Sequence, residues 1–77
     1  MTPAEADTRI ILSRQTLHRY ADMTRAGLRP LGDLPLMVQE VAKLEEIAEL
    51  HQGKALKLES LVEGWKAMIE AVRGRMH

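Results

Sequence analysis

Between residues 34 and 76, apolar side chains recur at alternating steps of three and four residues. This period of about 3.5 residues places one stripe of side chains on a single side of a helix, where it faces other helices. The stripe, termed here the C-terminal seam, consists of Leu34, Met37, Val41, Leu44, Ala48, His51, Ala55, Leu58, Val62, Trp65, Ile69, Val72 and Met76. The pattern predicts one continuous helix over residues 34–76.

A separate helix start signal opens the chain. Thr2 is a favourable N-cap, and Pro3 suits the first position of a helix because its missing N–H would be unpaired there anyway. Gly27, followed by an apolar residue, is typical of a helix end. We therefore expect a first helix over residues 3–26 and a connection over residues 27–33.

The connection contains helix-breaking residues and one residue suited to capping. Pro30 and Gly32 disfavour a continuous helix, and Asp33 is well placed to cap the helix that follows. The string Leu-Gly-Asp-Leu-Pro-Leu from Leu31 to Leu36 is similar to the turn between helices in small subunits of exonuclease VII. The likeness covers this string alone and assigns the chain to no family.

A connection this short sends the second helix back antiparallel to the first. The 77 residues are thus expected to form one all-α domain, residues 1–77, built as a helical hairpin with a short first helix and a long second helix. The far half of the long helix would expose more apolar surface than soluble monomers tolerate. Gly53 offers an alternative, because glycine costs about 1 kcal/mol in a helix interior. A break there would give a three-helix bundle, but the unbroken register of the seam favours the continuous helix.

Self-association would cover the exposed half of the long helix. Residues 34–52 carry a net charge of −3 and residues 53–77 a net charge of +2, so antiparallel pairing of two copies brings unlike charges together. The prediction is a homodimer that forms an antiparallel four-helix bundle or coiled coil, with its two-fold axis near His51 to Ala55. The expected dimer or partner interface consists of Val41, Leu44, Ala48, His51, Ala55, Leu58, Leu61, Val62, Trp65, Met68, Ile69 and Val72.

Charge argues against a dedicated nucleic-acid binding protein. Eleven basic and eleven acidic residues cancel, whereas such proteins usually carry a basic surplus. A small RNA- or DNA-associated bundle is the alternative function, with Arg14, His18 and Arg25 on one face of the first helix as its contacts. Acidic residues dilute this strip and no aromatic set accompanies it, so a solvated surface is the preferred interpretation.

No residue pattern predicts catalysis, a cofactor or a metal site. The chain has no cysteine, its three histidines are scattered, and it lacks a phosphate-binding loop and a nucleophile elbow. No apolar run is long enough for a signal peptide or a membrane span, and we expect a cytoplasmic protein. The sequence predicts a small non-catalytic interaction module, such as an accessory subunit, co-chaperone or regulator. Such a module would self-associate and offer an apolar helical surface to a helical partner protein.

Overall fold

The computed structural model describes residues 1–74, and over this range the chain is all-helical, as predicted. Helix α1 spans Pro3–Arg25, α2 spans Leu34–Leu50 and α3 spans Ala55–Arg73. Short 3-10 turns at Leu31–Asp33 and Gln52–Lys54 precede α2 and α3. The predicted helical positions 75 and 76 lie outside the described residues.

Local capping fixes both ends of α1. The Thr2 side chain accepts a hydrogen bond of 3.1 Å from the Glu5 backbone N–H. At the other end, Gly27 adopts a φ of +88°, and the Leu28 N–H donates to the Met23 carbonyl at 2.9 Å. The Gly27 N–H also donates to the Thr24 carbonyl at 3.0 Å, so two carbonyls at the end of the helix are paired. Both predicted ends of α1 are confirmed to within one residue.

The predicted continuous helix over residues 34–76 is wrong, because the chain turns at residues 51–54. His51 leaves helical geometry at φ −132° and ψ 73°, and its carbonyl accepts from the Lys54 N–H at 2.9 Å. Gly53 has no positive φ, and nothing lies within 4 Å of where its Cβ would stand, so the turn does not depend on glycine. The 3-4 spacing of the seam continues across the break because the turn, residues 51–54, is four residues long and so equals one four-residue step of the pattern.

Helix α3 contributes more buried residues than either other helix and is the central helix of a three-helix bundle. Both α1 and α2 pack more closely on α3 than on each other. Buried side chains of α3 are Leu58, Leu61, Val62, Trp65, Ile69 and Val72, those of α2 are Met37, Leu44 and Ile47, and those of α1 are Ala6, Ile10, Ser13 and Tyr20. The alternative that a break near Gly53 produces a three-helix bundle is therefore correct.

Contacts around Gly64 and Trp65 of α3 attach α1 to this helix. The Trp65 Nε1–H donates to Ser13 Oγ at 2.9 Å in the core, and the Trp65 ring meets the Tyr20 ring edge-to-face with 5.8 Å between centroids. At Gly64, a Cβ would stand 2.8 Å from Cδ2 of Leu17, so the glycine permits a close approach of α1. These contacts orient α1 on α3 as well as burying it.

Two further polar groups hold the connection between α1 and α2. The Asp33 side chain makes no capping bond to α2, contrary to expectation, and instead accepts a hydrogen bond of 2.9 Å from the Tyr20 hydroxyl. Arg29 donates to the carbonyls of Val72 and Arg73 at 3.1 and 2.9 Å. A cation at this position satisfies carbonyls at the negative end of the α3 dipole.

Candidate interaction surface

The residues predicted as an interface are mostly inside the protein itself. Buried members are Leu44, Leu58, Leu61, Val62, Trp65, Ile69 and Val72; half-buried members are Val41, Ala48, His51 and Met68; Ala55 is exposed. The expectation that the far half of the seam is uncovered is wrong, because α1 and α2 of the same chain fold over it. Self-association therefore needs another surface, and stays a prediction.

The largest side chains left in water mark where such a surface lies. Large hydrophobic residues at least half exposed are Met1, Ile11, Leu12, Leu28, Leu31, Leu36, Val38, Leu50 and Leu56. Single exposed apolar residues are ordinary on a protein surface, whereas several that share one face are not. Their distribution over the bundle is therefore informative.

A groove opens between α1 and α2 on the side away from α3. Near one end it encloses about 220 Å³ and is lined by Met1, Arg9, Lys43, Glu46, Ile47 and Leu50. The groove exists because α3 is central, so α1 and α2 are splayed apart. The buried side chain of Ile47 forms its apolar floor.

Helical spacing continues the same face along both helices, beyond the groove itself. On α1, Leu12, Thr16 and Met23 follow Arg9 at helical steps, with Leu12 exposed and the other two half-buried. On α2, Leu36 precedes Lys43 and Leu50 by one and two heptads and shares their side of the helix. We define the α1–α2 face as Glu5, Arg9, Leu12, Thr16, Arg19 and Met23 of α1 together with Leu36, Glu40, Lys43, Glu46 and Leu50 of α2.

The α2–α3 face differs in chemistry. A groove of about 300 Å³ is lined there by Glu45, Ala48, Ala55, Leu58, Glu59, Val62, Glu63 and Lys66, and Glu49 borders the neighbouring surface of α2. Two of the lining residues are alanines, and the groove and its border together carry four carboxylates and one lysine. This face therefore has a net negative charge.

The α1–α3 face carries the opposite charge. A surface pocket is lined by Asp7, Ile10, Ile11, Arg14 and Lys57, and Asp7 accepts a 2.7 Å hydrogen bond from Lys54 Nζ. This bond, together with the nearby lysine charges, lowers the pKa of Asp7 below its ordinary value. The basic groups outnumber the acidic ones here, so the face has a net positive charge.

The predicted nucleic-acid contacts lie along this positive side of α1. Arg14 and His18 are exposed, whereas Arg25 forms an ion pair with Asp22 one turn before it. Arg14 shares its pocket with Lys57 of α3, a neighbour that the first helix alone does not reveal. The three residues thus share one helix side, but one of the three charges is already paired.

His51 lies at the turn between α2 and α3 and is half-buried, and its Nε2 is buried without a hydrogen-bond partner. Within residues 1–74, no group of three or more histidine, aspartate or glutamate side chains is arranged to hold a metal ion. His51 is therefore part of the turn rather than of a cluster of metal ligands in this region.

Sequence reasoning missed the α1–α2 face. Leu12, Leu36 and Leu50 lie outside the seam and outside the core stripe of α1, so a pattern that follows one stripe per helix passes over them. The available signal was the heptad from Leu36 through Lys43 to Leu50, which gives α2 a second, weaker apolar edge. Its meaning depends on where α3 lies, which the pattern alone does not specify.

No protein-family model, curated protein or solved structure matches this chain. In the described part of the chain, no helix combines the length and the apolar character that crossing a membrane requires. Functional inference therefore depends on the three faces of the bundle.

Proposed function

We propose that this chain is a small, non-catalytic interaction module of the cytoplasm that binds a helical protein segment on its α1–α2 face. Leu12, Leu36 and Leu50 are each at least half exposed on this face, and Leu50 lines the groove whose floor is the buried Ile47. A helix laid between α1 and α2 would occupy the position of a fourth helix in a bundle. The uncovered groove between two splayed helices is the observation that carries this role.

The energetic motive is the burial of apolar surface. Apolar area removed from water contributes about 25 cal/mol per Å², and a well-filled helical groove concentrates that contribution in a few anchor side chains. The charged residues Arg9, Lys43 and Glu46 at the border of the groove would set the orientation of the bound helix rather than its affinity. An accessory subunit, co-chaperone or regulator would use such a surface.

Site-specific photo-crosslinking in the native cell tests this role. When benzoylphenylalanine replaces Leu36, irradiation should link this chain covalently to one protein partner, and the crosslinked product should have a single defined mass. The same group at Leu56, which is 84% exposed on α3 opposite the buried stripe, should give no such product. Adducts of equal yield at both positions, or none at either, would contradict the proposed role.

The positive α1–α3 face supports the second candidate, association with RNA or DNA. Arg14 and Lys57 line one pocket, and His18 lies one turn from Arg14. Binding through phosphates would weaken steeply as the salt concentration rises and would fall in the double variant Arg14→Gln, Lys57→Gln. Absence of binding to bulk RNA and DNA at low salt would eliminate this candidate.

A further inference from the structure

We infer that the occupant of the α1–α2 face is a second copy of this chain, related by a two-fold axis through that face. This inference rests on the proposed function, since it names the partner of the same groove. In such a dimer the α1 and α2 helices of both copies form an inner four-helix layer, and each α3 lies outside it. Three observations favour this occupant over an unrelated helix.

The first observation is charge. A surface that meets its own copy across a two-fold axis meets its own net charge, so a charged face repels itself. The α1–α2 face carries three acidic residues, Glu5, Glu40 and Glu46, and three basic residues, Arg9, Arg19 and Lys43. Its net charge is zero, whereas the α2–α3 face is negative and the α1–α3 face is positive. Among the three faces, only this one can pair with itself without repulsion between net charges.

The second observation is the placement of apolar side chains. Leu12 of α1 and Leu36 of α2 belong to different helices of the face and are 52% and 58% exposed. Half-buried Met23 lies three turns beyond Leu12 on the same side of α1, and Leu50 lies two heptads beyond Leu36 on α2. A two-fold axis near the middle of the face would pack the α1–α2 face of one copy against the α1–α2 face of the other. The exposed leucines of the two copies are then buried in one shared interface.

The third observation is size. The molecule measures 39 × 23 × 19 Å along its principal axes. One broad side of a body with these dimensions is comparable to the roughly 800 Å² per partner that a stable dimer interface buries. A chain of 77 residues also gains from a dimer, because a core this small stabilises a domain only marginally by itself.

The competing arrangement pairs the positive face of one copy with the negative face of the next. That contact joins different patches head to tail, so it builds rings or open chains of several copies. It would also weaken sharply with salt, because unlike charges would hold it together. The mass of the oligomer and the effect of salt on its association therefore distinguish the two arrangements without any mutation.

Sedimentation equilibrium of the full chain tests the inference over about 1 to 300 µM, a range that covers weak and stable dimers. The expected species is a dimer of twice 8.7 kDa whose dissociation constant changes less than about tenfold between 0.05 and 0.5 M salt. A monomer throughout this range would overturn the inference. So would a growing series of higher oligomers that salt disperses.

Adjacent residues provide matched variants. Leu12→Glu and Leu36→Glu should each weaken the dimer at least about tenfold, because each places a carboxylate in the interface. Ile11→Glu and Val38→Glu make the same change at similar exposure, 54% and 50%, on sides of α1 and α2 turned away from the groove. These controls should leave the dissociation constant unchanged, with circular dichroism confirming the fold of all four variants. Equal weakening by all four variants would contradict the proposed interface.

The wild-type chain provides a measurement that needs no variant. Amide chemical shifts that change on dilution should concentrate on residues of the α1–α2 face. Changes confined to the α2–α3 and α1–α3 faces would overturn the inference. If the purified chain is a monomer and the probe at Leu36 crosslinks to a different protein in the cell, the inferred homodimer is rejected and the proposed function stands. A monomer without any adduct would reject both.

Discussion

The C-terminal seam and the α1–α2 face both carry apolar side chains at helical spacing, yet the seam is buried and the leucines of the face are exposed. Trp65 on the seam is 1% exposed, whereas Leu36 on the α1–α2 face is 58% exposed. The difference follows from topology, because α3 receives helices on two sides while α1 and α2 each touch mainly α3. An apolar stripe therefore shows that a helix needs a partner, and the tertiary arrangement decides whether the chain supplies one.

The largest expected effect comes from emptying the seam. Trp65→Ala should lower the free energy of unfolding by about 3–5 kcal/mol, because it leaves a large cavity among α1, α2 and α3. Leu36→Ala should change it by less than about 0.5 kcal/mol at a protein concentration where the chain is monomeric. Urea unfolding followed by circular dichroism measures both values. Similar decreases in the free energy of unfolding for the two variants would contradict the difference between a buried seam and an exposed face.

A smaller effect is expected from the hydroxyl that faces the seam tryptophan. Ser13→Ala should cost about 1–3 kcal/mol, because the buried Trp65 Nε1–H loses its acceptor. Ser60→Ala at an exposed position of α3 is the control, since it makes the same change in helix propensity without touching the core. If both variants unfold at the same urea concentration, the hydrogen bond contributes nothing to the attachment of α1.

Removal of the Arg29 guanidinium should loosen the end of α3. Arg29→Met should lower the free energy of unfolding by about 1 kcal/mol, because two carbonyls at the C-terminus of α3 lose their donors. Exposed Arg14→Met provides a matched control. Hydrogen exchange should rise first in the last turn of α3 of the Arg29 variant, and unchanged exchange there would rule out the capping role.

Tyr20 should make stability depend on pH in the alkaline range. Burial, together with its hydrogen bond to the Asp33 carboxylate, raises the pKa of Tyr20 above its ordinary value near 10. The folded state therefore keeps a proton that the unfolded state releases. The resulting stabilisation is present below pH 10 and declines as the pH rises through the folded-state value. Tyr20 is the only tyrosine, so ultraviolet titration reports it alone.

The Tyr20→Phe variant provides the control for this pH dependence. The difference in unfolding free energy between wild type and variant should shrink above pH 10, because the variant lacks the titrating group while all other groups are shared. A difference that stays constant up to pH 12 would show that the hydroxyl has the same pKa in both states.

The smallest effect is expected at the turn between α2 and α3. Gly53→Ala should alter the free energy of unfolding by less than about 1 kcal/mol, and in the stabilising direction, because its φ is not positive and its Cβ site is open. The hairpin of α2 and α3 should persist. A switch of this variant to an elongated form would show that glycine, rather than burial of the seam, makes the turn.

Local signals predicted the ends of α1 well. The Thr2 cap and the left-handed Gly27 act within a few residues of themselves, so their meaning does not depend on the rest of the fold. The seam likewise identified the buried side of α3, including Trp65 and Ile69. These features could be predicted because each depends on a helix and its own neighbours along the chain.

The break at His51 could not be predicted in the same way. A turn that spans one step of the 3-4 pattern leaves the phase intact, so continuous register does not distinguish one helix from two. The α1–α2 face depends on the position of α3, which no local pattern encodes. Ser13, the partner of Trp65, lies 52 residues before it in the sequence, and only the bundle brings the two together.

A distance measurement by pulsed electron paramagnetic resonance tests most directly whether the seam is buried inside its own chain. Spin labels at Val38→Cys and Arg73→Cys can be placed without interference, because the chain has no native cysteine. The labelled protein is diluted with unlabelled protein so that only distances within one chain are measured. The bundle predicts a distance well below the 39 Å length of the molecule. A distance of about 52 Å, the separation of these positions along one continuous helix, would contradict it.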